Sequence, residues 1–204
     1  MTMNHNSKNT LYSVIIGFFI LFLMGCSSAP RAKPVNQQPM QQQLLALQQW
    51  QIDGKLAIQQ DKQGASLSFD WQHQSANDYL INLSGSLGQG ASRLTVNPGD
   101  VALVLDNGKE YVGDNPQTLV KSVLGWDIPF HSLDYWIRGL PSPDATHSAK
   151  YDDYYRLVSL TQHGWQIEYT DFYLLNGFEL PAKFRASNND VVLKVVIKEW
   201  TLEK

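Results

Sequence analysis

Apolar and polar residues alternate along much of this chain, and the pattern begins with the segment from Trp50 to Gln59. A period of two is typical of a β-strand that buries one of its faces. The inward residues of this first segment are Trp50, Ile52, Gly54, Leu56 and Ile58. The same alternation returns in residues 65–72, 79–83, 94–96 and 101–105. Turn residues at 97–100 separate the last two, so the sequence predicts five short antiparallel strands in consecutive order.

Helix signals interrupt this pattern after Asp114. Asn115-Pro116 is typical of a helix start, and apolar residues then recur at helical spacing until Gly125. A second short helix is predicted over 132–138, where Gly139 stops it. Strand alternation resumes in four segments, residues 155–160, 165–170, 180–186 and 191–202. We therefore expect a mainly β (α+β) fold with one strongly curved antiparallel sheet.

The helices inserted between the two groups of strands are well placed to cover the buried face of the sheet. If their side chains fill the concave side, the result is an ordinary core. If they cover it loosely, the result is an apolar cavity under a lid. The pattern alone leaves both possibilities open.

The N-terminal residues have the features of a bacterial lipoprotein signal. An uncharged apolar stretch from Leu11 to Met24 follows Lys8 and is too short for the roughly 20 residues of a membrane-spanning helix. The stretch ends in Leu23-Met24-Gly25-Cys26, a lipobox in which the chain is cut before Cys26 and the sulfur is acylated. We expect lipidation at Cys26 to anchor the mature chain. The residue after Cys26 is Ser27, which favours the outer membrane. An Asp at this position would favour the inner membrane.

Three segments follow from these features. Residues 1–25 are predicted to be the signal peptide. Residues 26–43, rich in Pro, Gln and Ala, are predicted to be a lipidated flexible tether. Residues 44–204 are predicted to form a single domain, long enough to bury a core of its own. A short helix is expected from Gln41 to about Gln49, just before the first strand.

Composition limits the possible partners. Lys8 is the only charged residue before Cys26, so the mature chain has 15 Lys and Arg against 19 Asp and Glu, a formal charge of −4. An acidic chain without a basic block gives no indication of nucleic-acid binding. With its single cysteine acylated, the mature chain would also have no disulfide. We expect a monomer that owes its stability to packing.

The polar residues predict no enzyme, metal site or cofactor. Gly85 to Gly90 lacks the Gly-Lys-Ser/Thr ending of a phosphate-binding loop. No Gly-x-Ser-x-Gly motif occurs, and Asp152-Asp153 is typical of a solvated turn. Four histidines lie scattered in predicted turns and loops without metal-ligand spacing: His73, His131, His147 and His163.

Several segments together resemble the outer-membrane lipoprotein receptor family LolB. They are the lipobox, residues 79–88, the segment Ser132 to Pro141 with its distinctive Trp136-Ile-Arg-Gly-Leu-Pro141, residues 180–184 and residues 191–200. The resemblance implies an incomplete antiparallel β-barrel with a helical lid over a hydrophobic cavity. It also implies that the protein faces the periplasm from the outer membrane, accepts lipoproteins from the periplasmic carrier LolA and inserts them into outer-membrane lipid.

The resemblance further implies roles for particular residues. In this family a protruding loop carries an exposed leucine that takes part in membrane insertion, and the matching residue is Leu87 in the loop 84–89. Here Gly85 and Ser86 stand where one known form of the family's loop has Asn and Pro. The acyl-chain cavity is expected to be lined by inward residues of the strands and by the lid. These are Ile52, Leu56, Leu67, Phe69, Ile81, Leu83, Trp136 and Ile137.

Two other interpretations fit the same pattern. The chain could be a lipid-anchored structural or binding module with a filled barrel. It could also be a periplasmic lipid carrier of the same fold with a different cargo. Bound acyl chains or an apolar probe would separate the cavity from the filled barrel, because a packed core takes up neither.

Overall fold

The dominant feature of the computed structural model, which describes residues 37–88 and 90–202, is one antiparallel sheet of eleven strands. The strands are β1 (Trp50–Gln60), β2 (Gln63–Ser75), β3 (Asp78–Ser84), β4 (Ser92–Asn97), β5 (Asp100–Leu105), β6 (Glu110–Gly113), β7 (His147–Tyr151), β8 (Leu157–Gln162), β9 (Trp165–Leu175), β10 (Phe178–Ser187) and β11 (Val191–Leu202). Their order in space is β6-β5-β4-β3-β2-β1-β11-β10-β9-β8-β7. Two meanders are thus joined where β1 pairs with β11. Strands β6 and β7 are the edges, so the sheet is an incomplete barrel.

The predicted β pattern is confirmed except at these two edges. Strands β6 and β7 have only four and five residues. Most of their side chains are exposed or half-buried, so no inward stripe marks them in the sequence. Short, polar edge strands are how sheets avoid pairing with other chains.

The curvature of the sheet depends on a glycine in its central strand. The pairing of β1 with β11 shifts by one residue between Asp53 and Gly54, which is a β-bulge. A Cβ at Gly54 would lie 2.1 Å from the Val196 carbonyl oxygen, so no other residue fits there. Because a bulge bends and twists its strand, this close approach helps the sheet to curl.

Three α-helices lie within the described residues: α1 (Gln37–Ala46), α2 (Pro116–Leu124) and α3 (Phe130–Ile137). A single 3-10 turn, Ser86–Gly88, follows β3. None of these helices has the length and apolar character needed to span a bilayer. The signal peptide, Cys26 and the first part of the predicted tether lie outside the described residues.

The helix boundaries differ from the predicted ones at α1 and α3. Helix α1 begins at Gln37, so residues 37–43 of the stretch predicted as tether are helical, and the helix ends before 47–49. Glutamine is a good helix former, and Pro39 is tolerated because it falls in the first turn. Helix α3 begins two residues earlier than predicted, directly after Pro129.

Local sequence signals define α2 at both ends. The Asn115 side chain accepts a hydrogen bond from the backbone N–H of Thr118 at 2.9 Å, and Pro116 occupies the first helical position. At the other end Gly125 adopts a left-handed conformation with φ of 79°. These are the N-terminal and C-terminal signals from which the helix was predicted. They leave its apolar side, with Leu119 and Val120 buried, packed toward the sheet.

Candidate functional site

An apolar cavity of about 60 Å³ lies between the concave side of the sheet and the helices α2 and α3. Its floor comes from five neighbouring strands and β11, through Leu56, Phe69, Trp71, Ile81, Leu83, Leu94, Leu103, Leu193 and Val195. Its roof comes from α2, α3 and the loop between them, through Val120, Leu124, Trp126, Ile128, Phe130, Leu133 and Ile137. All of these side chains are aliphatic or aromatic, and the cavity surface presents no polar atom.

One side of the cavity is less well covered than the rest. Leu56 and Leu83 of the floor and Leu124 and Trp126 of the roof are half-buried, whereas most of the other lining residues are buried. These four side chains therefore mark the mouth of the cavity. Residues 125–129, which join α2 to α3, form its upper rim.

A polar cluster holds this rim against the tip of the first hairpin. The Gln60 side-chain amide donates to the Gly125 carbonyl oxygen at 2.9 Å and accepts from the Asp127 backbone N–H at 3.2 Å. Lys121 and Gln117 donate to the Asp127 carboxylate at 2.6 and 2.7 Å, and their hydrogen bonds hold the pKa of Asp127 below its usual value. We call these four side chains, Gln60, Gln117, Lys121 and Asp127, the latch.

The opposite end of the lid is fixed by a buried charged cluster. Arg138, at the end of α3, is 4% exposed and donates to the Asp134 carboxylate at 3.2 Å and to the Leu47 carbonyl oxygen at 3.1 Å. It also donates to the Leu44 carbonyl oxygen in the last turn of α1, whereas Leu47 directly follows that helix. The Asp134 carboxylate also lies 3.2 Å from Nε2 of His73 on β2. Arg138 thereby joins the end of α3 to the last turn of α1, where helix carbonyl groups lack partners within the helix.

Aromatic packing encloses this charged cluster. The ring of His73 stacks on Trp50 with 4.5 Å between centroids, and its Nδ1 lies 2.6 Å from the Gln48 carbonyl oxygen. Tyr79 stacks on the other side of His73, and burial together with the charge of Asp134 raises the pKa of its hydroxyl well above the usual value. The arrangement buries the contacts between α1, α3 and β2 at this end of the lid.

Five of the eight residues predicted for the cavity lie on its surface: Leu56, Phe69, Ile81, Leu83 and Ile137. The other three are buried elsewhere in the core. Ile52 sits between Trp71 and Trp200, its partners on the neighbouring strands. Trp136 turns away from the cavity toward Trp165 and donates its indole N–H to Gln162 at 3.1 Å. Leu67, the partner of Leu56 across the strands, is buried beside the cavity and does not line it.

Sequence reasoning missed most of the lining. Leu94, Leu103, Leu193 and Val195 follow the inward alternation of their strands, so the same signal that predicted Leu56 could have found them. Trp126 and Ile128 lie in a loop without any periodic signal. Arg138 is a single charge in the otherwise apolar segment from Trp136 to Pro141, and the fold was needed to show its partners.

Of the two residues predicted to act at the membrane, Leu87 and Cys26, the structure describes only Leu87, and only its backbone. The backbone of Leu87 lies in the 3-10 turn after β3, and this turn contacts β2. Cys26 lies outside the described residues. The roles of Leu87 in membrane insertion and of Cys26 in lipidation remain predictions.

No group of three or more His, Cys, Asp or Glu residues that could hold a metal ion occurs among the described residues. The contacts of His131 and His163 with Asp144, at 3.7 and 3.1 Å, lie at the surface, whereas His73 is buried against Asp134. The prediction that His73 and His147 lie in turns or loops is wrong, since they belong to β2 and β7. Among the described residues, the space under the lid is lined by apolar side chains and not by reactive groups.

Comparisons with known proteins agree with this architecture. The profile of the family described as "Outer membrane lipoprotein LolB" matches residues 48–200. The outer-membrane lipoprotein LolB of Pseudomonas savastanoi pv. phaseolicola is 39% identical over 201 residues, which cover 95% of this chain and 98% of that protein. The one from Pseudomonas fluorescens strain Pf-5 is 39% identical over 197 residues, with 93% and 96% covered.

Solved structures show the same fold at low sequence identity. A LolA-superfamily protein from Nitrosomonas europaea superposes with a TM-score of 0.51 at 7% identity, covering 84% of this chain and 95% of that one. A DUF1329 family protein from Desulfovibrio piger gives a TM-score of 0.53 at 8% identity, with 84% and 94% covered. These structures show the fold alone, whereas the family profile and the sequence relatives show the family. The chain belongs to the outer-membrane lipoprotein LolB family.

Proposed function

We propose that this protein receives the acyl chains of lipoproteins from the periplasmic carrier LolA in its apolar cavity and delivers them to the outer membrane. Membership of the LolB family supports a role in localising lipoproteins at that membrane. In the proposal, acylated Cys26 holds the protein at the membrane. Leu87 enters the lipid during delivery.

The observation that carries the proposal is the purely apolar surface of the cavity. An acyl chain loses about 0.8 kcal/mol per CH₂ group when it enters water, so a C16 chain crossing the periplasm unprotected would lose about 12 kcal/mol. A path lined only by aliphatic and aromatic side chains avoids this loss. It also offers no polar group that would hold the chain back.

The cavity must enlarge before it can take an acyl chain. An apolar cavity of about 150 Å³ binds a single benzene ring, and the present one is less than half that size at about 60 Å³. We infer that the structure is the closed state and that the lid opens at its mouth. Arg138 and Asp134 fix the α1 end, so the movable part is the rim carrying Trp126 and Ile128.

Transfer by this route requires a gradient of affinity rather than an energy source. The carrier would dock with its own cavity facing the mouth marked by Leu56, Leu83, Leu124 and Trp126. The chains would then pass between two apolar surfaces without contact with water. Delivery follows if the bilayer binds the chains more tightly than this cavity does, and this cavity more tightly than the carrier.

A volume change at one lining residue tests the cavity. Val195 lies on the floor, and its neighbour Val196 is 39% exposed on the other face of the sheet. We expect Val195→Phe to weaken binding of an apolar fluorescent probe at least about tenfold and to lower lipoprotein acceptance, because the ring occupies the space. Val196→Phe is the matched control and should bind the probe as the parent does. Equal binding by both variants, with both folded by circular dichroism, would place the ligand elsewhere.

The latch gives a kinetic test of lid opening. Gln60→Leu removes both hydrogen bonds to the rim, at a cost of about 1 to 3 kcal/mol in stability if each bond contributes 0.5 to 1.5 kcal/mol. We expect stopped-flow fluorescence to show probe uptake several-fold faster in this variant, since the open state becomes more populated.

Gln59→Leu changes the neighbouring exposed glutamine and serves as the control. Its probe uptake should match the parent. If Gln60→Leu also leaves the rate unchanged, the latch does not limit opening and the mouth must lie elsewhere.

A further inference from the structure

We propose that the outer face of the sheet carries a binding surface for the headgroups of anionic phospholipids, centred on Lys62 and Lys194. The inference rests on the proposed function, since it concerns how the domain meets the bilayer to which it delivers. It adds a contact that neither the cavity nor Leu87 supplies. The experiment below distinguishes failure of this inference from failure of the proposed function.

The surface is assembled from three neighbouring strands. Lys55 on β1, Val196 on β11 and Lys183 on β10 lie side by side in one row across the sheet. In the next row Lys194 of β11 lies beside Arg185 of β10. Lys62 follows in the turn between β1 and β2. We call the five cations Lys55, Lys62, Lys183, Arg185 and Lys194 the basic face.

The charges of the basic face are available to a ligand. All five side chains are exposed. None of them forms an ion pair within 4.0 Å with an acidic residue of the described chain. Their hydrogen bonds go to neutral groups, such as that from Lys55 to the Ser68 hydroxyl at 2.7 Å.

Acidic residues lie beside the basic face on β9 and in the turns at the hairpin tips. On β9, Glu168 is the cross-strand partner of Arg185, and Asp171 that of Lys183. Lys55 and Lys194 lie on strands that do not adjoin β9, and Lys62 lies in the turn after β1. Two turn residues, Asp61 and Asp190, lie at the tips of the adjoining hairpins.

A shallow cleft of about 500 Å³ opens in this part of the face. Lys62 and Lys194 line it, together with Ser66, Gln59 and Gln63. Ammonium groups beside hydroxyl and amide donors suit the phosphate oxygens of a lipid headgroup. The shallow form suits a group presented by a surface better than a buried small molecule.

The outer face is also electrically polarised along the strands. Asp53 lies directly between Asp70 and Glu199, its partners on β2 and β11, in a row on the α1 side of Lys55. The acidic row lies on β2, β1 and β11 and the basic face on β1, β11 and β10, so on the two shared strands they occupy successive parts. A negatively charged bilayer would attract the hairpin end and repel the α1 end.

This orientation brings the predicted insertion loop to the lipid. Strand β3 ends at Ser84, which pairs with Ser68, the residue opposite Lys55. The following 3-10 turn Ser86–Gly88 contacts β2. The loop with Leu87 therefore leaves the sheet at the hairpin end, beside the basic face. Binding of headgroups there would hold the loop at the bilayer surface before a leucine enters it.

Vesicle binding by a form without the acyl anchor tests the proposal. The chain from residue 26 with Cys26→Ala is mixed with vesicles of phosphatidylcholine alone or of phosphatidylcholine and phosphatidylglycerol in equal parts. We expect binding to the anionic vesicles only, and weaker binding as salt is added. In Lys62→Gln/Lys194→Gln we expect affinity to fall on the order of 25-fold, about fivefold per lysine removed near the surface.

Lys150→Gln/Lys198→Gln is the matched control, since it removes the same charge from exposed positions outside the basic face. It should bind like the parent. Equal binding by the Lys62 and Lys194 variant, or equal binding to both kinds of vesicle, would overturn the proposal. Loss of LolA binding in that variant with vesicle binding intact would also overturn it and assign the face to a protein partner.

The apolar probe separates this result from the proposed function. The basic-face variant should take up the probe as the parent does, because no changed residue lines the cavity. Failure of the parent to bind the probe would count against the acceptor function, whatever the vesicles show.

Discussion

Replacing Leu87 with Glu is expected to abolish delivery of lipoproteins to the membrane while leaving their acceptance from the carrier intact. A leucine that enters the lipid interface contributes about 1.5 to 3 kcal/mol, whereas an ionised carboxylate opposes entry. Since 1.4 kcal/mol corresponds to a factor of ten, insertion should fall at least about 100-fold. The measurement is transfer of a labelled lipoprotein from loaded carrier to this protein, and then to vesicles.

The chain offers a control for Leu87 at the other end of the sheet. Leu174 near the tip of the β9–β10 hairpin is 58% exposed, so Leu174→Glu introduces the same charge on the surface. It should leave both steps unchanged. If Leu87→Glu delivers lipoproteins at the parental rate, Leu87 has no part in insertion. If both variants lose acceptance, the effect lies in docking of the carrier.

Replacing Arg138 with Met is expected to destabilise the domain by about 3 to 5 kcal/mol. The substitution leaves the buried Asp134 without its guanidinium and removes the side-chain donor to the Leu44 and Leu47 carbonyl groups. Removing one partner of a buried ion pair costs this much because the remaining charge stays buried without compensation. Urea unfolding followed by circular dichroism measures the change. The double variant Arg138→Met/Asp134→Leu should recover part of the loss, since no unpaired carboxylate remains.

A partly exposed ion pair of the same spacing provides the comparison. Arg156 and Asp152 are also four residues apart, and their side chains are 25% and 23% exposed. We expect Arg156→Met to cost about 1 kcal/mol or less, as is usual for pairs in contact with water. Similar losses in Arg138→Met and Arg156→Met would mean that the buried cluster does not hold α1 and α3 together.

Local sequence predicted the elements that depend on neighbours along the chain. The alternation from Trp50 onward gave the long strands, because each buries one face. Asn115, Pro116 and Gly125 gave the limits of α2, because caps act within one turn. The edge strands β6 and β7 escaped prediction, since their side chains have no buried face to mark. Helix α1 differs from its predicted limits, and its last turn contacts Arg138, which lies 94 positions from Leu44 along the chain.

The sequence by itself determined the curved antiparallel sheet, the inserted helices, the candidate acylation site at Cys26 and the family. It also determined that the inward residues are apolar. Only the tertiary structure decided that Leu56 and Ile137 face open space while Ile52 and Trp136 are packed, because the position of the lid over the sheet selects among inward residues. The same holds for the latch and the basic face. Their members are far apart along the chain, and strand pairing and packing alone bring their charges and hydrogen-bonding groups together.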